Sequence, residues 1–562
     1  MKLLFLHCDY IKFKPLKKAL KSVAELSDKE KKEHEVKEAL VVLTAVEKGD
    51  SKDTIKLYIE NIKDVAKQVN AKNIVLYPYA HLSSNLSSPD LASQVLVDAE
   101  SILGKDFNVS RAPFGYYKEF ELKVKGHPLS ELSREIHAKE TESDEKYDPK
   151  QLLREISRSR LDTSKLKDND HRILGQQMDL YSFNEVAPGM VFWHNNGLII
   201  RNALIDFWRE IHRKSGYEEI STPQIMDKRL WQVSGHWDKY KDNNFLTHYE
   251  NKPYIVKPMN CPGGMLVYRS STKSYKDLPL RVGELGNVHR QELSGVLGGL
   301  FRVVQFTQDD AHLFCTEEQV EDEIFKIIDL IGFFYDKFNL PYRVELSTRP
   351  EKRIGTDEMW DKAEKLLEKV LKKKKMGFKL NPGDGAFYGP KIDFHVKDSL
   401  GREWQCGTIQ LDFSMPERFE LEYVDKDNKR KRPVMLHRTV YGSLERFIGI
   451  LIEHYNGRLP VWAAPIQVRV LSFTDRSEKY AKQIIKKLGE EIPSLRIDAD
   501  FNDSPIQGKI KEAEMMKILN IIVVGDKEEK GKNVAVRKDG KVKTIKVDDF
   551  IKQIKKEIGE RL

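Results

Sequence analysis

Apolar runs and their spacing divide the chain into three blocks. In the first, residues 1–6, 38–46 and 73–79 are short apolar runs that predict buried strands, and 120–124 alternates like a further strand. Between them, Ile55, Ile59, Ile62, Ala66 and Val69 fall at helical spacing and predict a helix over 54–69. This alternation predicts a small α/β domain over residues 1–137. Residues 138–170 are almost entirely charged or polar and predict a linker, partly helical.

The second block opens on turn signals, Pro188-Gly189 and Asn195-Asn196-Gly197. Ile200, Leu204, Phe207, Trp208 and Ile211 then keep helical spacing until Gly216, and 217–220 reads as a strand before Pro223. Residues 281–288 and 301–306 predict two strands of a long hairpin, joined by a loop holding Gly295, Gly298 and Gly299. A strand over 404–413 and a helix over 444–454 follow. The pattern resets near Trp462-Ala-Ala-Pro465. Beyond it, strands at 468–471 and 518–524 and helices at 480–488 and 550–558 predict a second small α/β domain. The expected fold class is therefore α/β and α+β multidomain, with a central domain over 171–461 and a last one over 462–562.

Composition narrows the class. At 562 residues, 40% hydrophobic and 32% charged, the chain is globular and too long for one core. No apolar run approaches the ~18 residues of a membrane span. Asp9 interrupts the apolar start and no cleavage pattern follows, so the cytosol is expected. The four cysteines, Cys8, Cys261, Cys315 and Cys406, form no CxxC pair and predict reduced thiols, with Cys315 and Cys406 in the core. The net charge of +8 suits a polyanionic partner and equally suits mere solubility.

Three pieces of the central block carry chemistry: the strand end at Pro223, His289-Arg-Gln-Glu292 leading into the glycine-bearing loop, and Gly442-Ser-Leu-Glu-Arg446 opening a helix. In that order they resemble motifs 1, 2 and 3 of the class II aminoacyl-tRNA synthetases. The resemblance implies an antiparallel sheet flanked by helices, ATP with magnesium, and a homodimer joined through motif 1. Neither GxGxxG nor a Walker loop is present. Adenylate formation brings two anions together, and arginine is suited to neutralising them because it stays charged and grips phosphate with two donors. The resemblance puts Arg290 on the α-phosphate, Arg446 on the γ-phosphate and Glu292 near the adenine, with Arg302 beside the nucleotide. A lone arginine is more often a surface or ion-pair residue; the ordered set of motifs is what changes the reading.

Four further segments, Lys257-Pro-Met-Asn-Cys-Pro-Gly-Gly264, Phe306-Thr-Gln-Asp-Asp-Ala-His312, Trp404 to Phe413 and His437-Arg438, are similar to threonyl-tRNA synthetases over residues 170–562. That resemblance implies one zinc ion on Cys261, His312 and His437, which binds the amino and hydroxyl groups of L-threonine. Sequence spacing by itself gives no zinc signal here. The resemblance also implies that Asp310 accepts from the threonine hydroxyl, and that Met259, Gln308, Gln405, Tyr388, His236 and Lys391 complete the pocket, Lys391 counting with Arg290 and Arg446 as catalytic. Gln405 and Gln410 stand at odd spacing and face opposite sides of a strand unless it bulges. Two positions depart from the family: Gly264 where histidine is usual, and Val304 where a second arginine is usual.

Zinc separates threonine from valine but not from serine, which has the same two groups, so corrective hydrolysis is expected. His7-Cys-Asp-Tyr10, Pro78 to Ser84, Pro113 to Lys118 and Gly126 to Arg134 are similar to the archaeal editing domain, itself like D-aminoacyl-tRNA deacylases. This implies hydrolysis of Ser-tRNA(Thr) by Lys118, Tyr117, Tyr116, His81, Ala80 and Glu131. The last block resembles an anticodon-binding domain, which implies tRNA(Thr) contacts by Asn502, Glu528 and Arg537. Three other readings stand beside this one: a different class II synthetase, a non-catalytic paralogue that binds tRNA or an amino acid, or a stand-alone D-aminoacyl-tRNA deacylase function, for which the central domain would be surplus.

Overall fold

One long antiparallel strand organises the amino-terminal unit. Strand β1 (Lys2–Lys18) pairs along one edge with β2 (His34–Ala45) and along the other with both β5 (Tyr116–Val124) and β6 (Glu131–Glu135). Beyond β2 the parallel strands β3 (Asn73–Pro78) and β4 (Asn108–Arg111) complete a six-stranded sheet. Helices α1 (Lys52–Gln68) and α2 (Pro89–Leu103) cover one face, where Tyr58, Ile62, Val95 and Ala99 pack on Leu3, Phe5, Val42 and Leu76. The opposite face buries Cys8, Ile11, Phe13, Val41 and Tyr77 in a cluster to which neither α1 nor α2 contributes. The predicted strand 1–6 is thus only the start of β1, whose later polar positions on the outward side hid its length.

This computed structural model describes residues 1–562 except 21–22, 29, 51, 84, 137–148, 151–152, 154–165, 238–243, 251 and 562. The linker expected over 138–170 lies mostly outside the described residues. The chain forms two compact units, Met1–Asp148 and Pro149–Leu562.

The second unit is built on an eight-stranded sheet. From one edge to the other its strands are β11 (Phe378–Asn381), β10 (Tyr342–Ser347), β12 (Lys391–Lys397), β13 (Glu403–Asp412), β14 (Val434–Thr439), β9 (Gln305–Cys315), β8 (Leu280–His289) and β7 (Glu218–Glu219). The six inner strands run antiparallel, and only the outermost strand at each edge is parallel to its neighbour. Helices Asn195–Lys214, Val320–Lys337 and Leu444–His454 bury Trp208, Ile331, Phe334 and Phe447 against one face. The opposite face carries the candidate site. The return arm of the hairpin differs from the expected 301–306 strand. Gly299–Phe301 is a 3-10 turn, and the arm begins only at Gln305 and runs on to Cys315. Its polar residues Gln308, Asp310 and His312 face the site, so it lacks the apolar alternation of an ordinary strand.

The last block is a five-stranded sheet in which Val468–Ser472 lies between parallel strands Ile497–Asp500 and Asn520–Val524. Two antiparallel strands, Asn533–Lys538 and Lys541–Lys546, extend it. Helices Glu478–Glu491 and Val547–Gly559 pack on it through Ile484, Leu488, Phe550 and Ile554.

Candidate functional site

Strand register assembles the site. His312 on β9 sits opposite His437 on β14, His437 opposite Gln410 on β13, and Gln410 opposite Lys391 on β12. Directly opposed residues share a face, so four strands present one row of polar side chains. Cys261 reaches the row from above, at the first turn of helix Cys261–Arg269, where Pro262 provides the helix start. The ligand atoms of Cys261, His312 and His437 all lie within 4.8 Å of one another, and all three side chains are buried.

This trio fits zinc on its chemistry. One thiol and two imidazoles are ordinary zinc donors, and three protein ligands leave a position open. His437 Nε2 lies 2.8 Å from Asp412 Oδ2, the carboxylate partner that orients a ligating imidazole and leaves Nδ1 for the metal. His312 Nδ1 is buried without a hydrogen-bond partner, as befits a ring placed for something other than the protein. Without an ion, burial and the nearby Asp310 and Asp412 push the Cys261 thiol well up, while burial and His437 press the His312 imidazolium well down. A divalent cation would reverse the first effect by deprotonating the thiol. Gly264 bears on this centre, because a Cβ there would stand 3.2 Å from His312 Nδ1. The departure therefore keeps that unpartnered nitrogen clear of a side chain.

Beside the trio is a cavity of about 420 Å³ lined by His236, Met259, Gln308, Asp310, Tyr388 and Lys391, among others. Gln405 and Gln410 both line it. The expected opposition of these two amides is removed by a bulge: His395 pairs with Gln405 and Phe394 with Gly407, so Cys406 is the extra residue that returns Gln405 to the site face. Gln410, which accepts from Tyr388 Oη at 2.6 Å, is thus a lining residue that odd spacing concealed. Asp393 was also missed. Its buried carboxylate accepts from Lys391 Nζ at 2.6 Å, Gln405 Nε2 at 2.7 Å, Ser347 Oγ at 2.8 Å and Thr408 Oγ1 at 2.9 Å, and so fixes two pocket residues at once. Burial works against the Lys391 charge, but Asp393 and Asp384 outweigh it and raise the pKa. Asp310 accepts from Asn260 Nδ2 at 2.8 Å, yet burial still lifts its carboxyl to about 6.

A second cavity of about 450 Å³ adjoins the first and shares Arg290, Gln308, Gln405, Thr408 and Thr439 with it. Glu292, Phe301, Arg302, Phe306 and Arg446 also line it. Arg290 Nε donates to Pro258 O at 3.1 Å and its guanidinium lies 5.2 Å from the centre of the Phe306 ring. Arg302 is paired with Glu292 at 2.9 Å, and Arg446 Nε donates to Phe301 O at 3.0 Å. Val304, the second departure, is buried and packs beside Gly189, whose carbonyl accepts its N–H at 2.7 Å. It belongs to the wall and does not line the cavity.

In the first unit, Lys118 lies on the face turned away from α1 and α2. Its Nζ donates to Pro113 O and Tyr116 O, both at 2.9 Å, and sits 5.2 Å from the centre of the Tyr77 ring. Tyr77, Tyr79 and His81 follow as neighbouring rings, with Ala80 between the last two. Burial lowers the Lys118 pKa to about 8. Strand alternation puts Tyr116 on the Lys118 side and Tyr117, which is exposed, on the other. Glu131 is not brought to Lys118. It pairs with Leu6 whereas Lys118 pairs with Pro15, nine residues further along β1, a separation of roughly 30 Å.

In the last block, Asn502 and Glu528 follow the carboxyl ends of the parallel strands Ile497–Asp500 and Asn520–Val524. Arg537 stands opposite Ile521, toward the other end of that strand, and pairs with Glu514 at 3.5 Å. Phe473, 58% exposed, follows the strand between them, an aromatic at the edge of an apolar run that sequence reading passed over.

Comparison with known proteins matches three stretches of the chain. Residues 1–136 match the archaea-specific editing domain of threonyl-tRNA synthetase, 245–455 the class II synthetase core domain (G, H, P, S and T), and 467–557 an anticodon-binding domain. Relatives described as threonine–tRNA ligases include one from Caldanaerobacter subterraneus subsp. tengcongensis, 55% identical over 70% of this chain and 61% of its own. Another, from Desulforamulus reducens, is 54% identical over 74% and 65%. The chain therefore spans just over three fifths of the length of these curated relatives. A solved structure described as the RNA-binding domain of threonyl-tRNA synthetase from Cryptosporidium parvum is 40% identical, with a TM-score of 0.67 over 69% of this chain and 98% of that one. A putative threonyl-tRNA synthetase from Aeropyrum pernix is 27% identical, with a TM-score of 0.62 over 70% and 96%. The zinc-type trio, the paired cavities and these matches lead to one family: the chain belongs to the threonyl-tRNA synthetases and carries the archaeal kind of editing domain.

Proposed function

We propose that the chain joins L-threonine to tRNA(Thr) at the expense of ATP, taken as its magnesium complex, and hydrolyses Ser-tRNA(Thr) formed in error. The continuity of the two cavities through Arg290, Gln308, Gln405, Thr408 and Thr439 carries this reading. An amino acid in the first then presents its carboxylate to a nucleotide in the second. A carboxylate oxygen attacks the α-phosphorus, the bond to the pyrophosphate oxygen breaks, and pyrophosphate leaves. The terminal ribose hydroxyl of tRNA next attacks the adenylate carbonyl and releases AMP. Arg290, Arg446 and Lys391 supply the positive charge that these crowded anions need. Arg302 and Glu292 hold the nucleotide base and sugar end.

Cys261, His312 and His437 would hold zinc, which when bound supplies a Lewis-acidic contact for the amino and hydroxyl groups. Asp310 accepts from the hydroxyl, and Met259, His236, Tyr388, Gln308 and Gln405 shape the remainder. Valine leaves these polar groups unpaired, which costs roughly 10⁴-fold or more in selectivity. Serine does not, and Lys118, with Tyr116, Tyr117, Ala80 and His81, is assigned to its removal. A homodimer suits the class II core. Asn502, Glu528 and Arg537 are assigned to the anticodon. All four cysteines are free and buried, which suits the cytoplasm.

The test is exchange of pyrophosphate into ATP with threonine, serine and valine, before and after zinc removal. Threonine and serine should support exchange, valine should not, and chelation should abolish threonine activation with recovery on adding zinc. Strong valine activation by the zinc-loaded chain would overturn the recognition scheme.

A further inference from the structure

A buried histidine under the nucleotide cavity is unused by the mechanism above. His171 opens the helix His171–Gln177 and is 1% exposed. Its Nδ1 lies 2.6 Å from Glu453 Oε1, and its backbone N–H donates to the same oxygen at 3.0 Å. Its Nε2 accepts the Leu300 N–H at 3.0 Å. A ring nitrogen that accepts carries no proton, so the proton sits on Nδ1 and is donated to Glu453. Both ends of the ring are therefore committed. Asp170, His171 and Glu453 lie close enough together to suggest a metal site. Neither ring nitrogen is spare, however, and Arg172 and Arg402 already hold the two carboxylates.

The contacts around His171 close a circuit. Glu453 lies in the last turn of helix Leu444–His454, and Arg446 lies in its first. Arg446 Nε donates to the carbonyl of Phe301, the residue after the one His171 holds. The Phe301 ring lies between the rings of His171, 4.1 Å away and tilted by 48°, and Trp404, 4.3 Å away and tilted by 30°, and it lines the nucleotide cavity. Arg402 joins the circuit through Glu453 and lies 5.4 Å from the centre of the Phe301 ring. Gly299, at φ +56°, makes the close approach possible, because a Cβ there would stand 2.3 Å from His171 Nε2.

We propose that His171 is a positioning residue for ATP: it pins the Gly299–Phe301 turn so that the Phe301 carbonyl aims Arg446 into the nucleotide cavity. The proposal rests on the reading of that cavity as the ATP site. It predicts damage confined to the nucleotide side, because no His171 contact reaches the cavity beside Cys261, His312 and His437.

The experiment measures pyrophosphate exchange in the full chain, varying ATP and threonine separately, for wild type, His171→Ala, His171→Gln and His171→Asn. His171→Ala should raise KM for ATP about tenfold and leave KM for threonine within about twofold. His171→Gln, whose amide oxygen reaches toward Leu300, should recover more of the ATP affinity than His171→Asn, which reaches only Glu453. An unchanged KM for ATP, or equal losses for both substrates, would overturn the proposal. If His171→Ala does not fold, the Gln and Asn variants decide, and equal KM values for ATP in those two would overturn it. Failure of the wild type to exchange at all would instead overturn the functional reading, so the two failures are distinct.

Discussion

A single protonation at Lys118 has a consequence for pH. The ammonium donates to two backbone carbonyls, Pro113 O and Tyr116 O, which leaves one donor for a seryl ester or an attacking water. On the editing role proposed for Lys118, the charged form is the one with a donor to spare, and burial makes it costly, lowering the pKa to about 8. Ser-tRNA(Thr) hydrolysis above the spontaneous rate should fall as pH rises through about 8, and Lys118→Ala should lose both the activity and that inflection; deacylation rates between pH 6 and 9.5 check this. Stability moves the other way. The folded chain releases this proton near 8 but the unfolded chain keeps it until about 10.4. Across that window the unfolded state binds more protons, so this group's contribution to stability grows as pH rises. Legibility was uneven at this scale. Cys261, His312 and His437 were visible only through the motifs around them, since the row they share depends on register between strands far apart in sequence. Asp393 gave no signal because its work is to hold Lys391 and Gln405, and nothing in its sequence neighbourhood marks it.

Among the elements, helix Leu444–His454 was legible to the residue, because Ser443 caps it and apolar positions fill it. The strand Gln305–Cys315 was not, because one of its faces serves the site and the other holds Asp309. Asp309 connects the two elements. Its buried carboxylate accepts the N–H groups of Val440 at 3.0 Å, Tyr441 at 3.1 Å and Gly442 at 2.8 Å, and Trp208 Nε1 at 3.0 Å. Burial raises its pKa to about 7, against the pull of Arg438 and these donors. The loop so gathered delivers Arg446. Gly442 stands in it at φ +74°, and a Cβ would approach Cys406 O, in the bulge of β13, to 2.8 Å. Gly442→Ala should therefore lose about 1–3 kcal/mol of stability and slow threonine activation roughly 10- to 100-fold by displacing Arg446. Thermal melts and pyrophosphate exchange measure the two effects; a variant of wild-type activity would mean that the loop is not under this constraint.

At the scale of the molecule, Arg561 connects the last block to the central sheet. It pairs with Glu210 on helix Asn195–Lys214, and its guanidinium lies 4.8 Å from the centre of the Phe207 ring and 5.8 Å from that of Trp462. Arg458 and Asp539 add a second tie, at 3.2 Å. These contacts could not be read from the sequence, because the last helix looks like any amphipathic helix until its partner is known. Their energies are small: a partly exposed ion pair and a cation–π contact contribute about 1–2 kcal/mol each. Their effect should appear in geometry more than in stability. If tRNA is held at Asn502 and Glu528 while its end is charged near Arg290, the orientation of one block on the other sets whether both ends bind together, and loosening it lowers the effective concentration of the second contact. Arg561→Ala should leave pyrophosphate exchange unchanged, because no residue of either cavity is touched. It should raise KM for tRNA severalfold in aminoacylation and lower the melting temperature by only a few degrees. Equal loss in both assays would mean that Arg561 supports the central sheet itself, through Phe207, and that the orientation of the last block is set elsewhere.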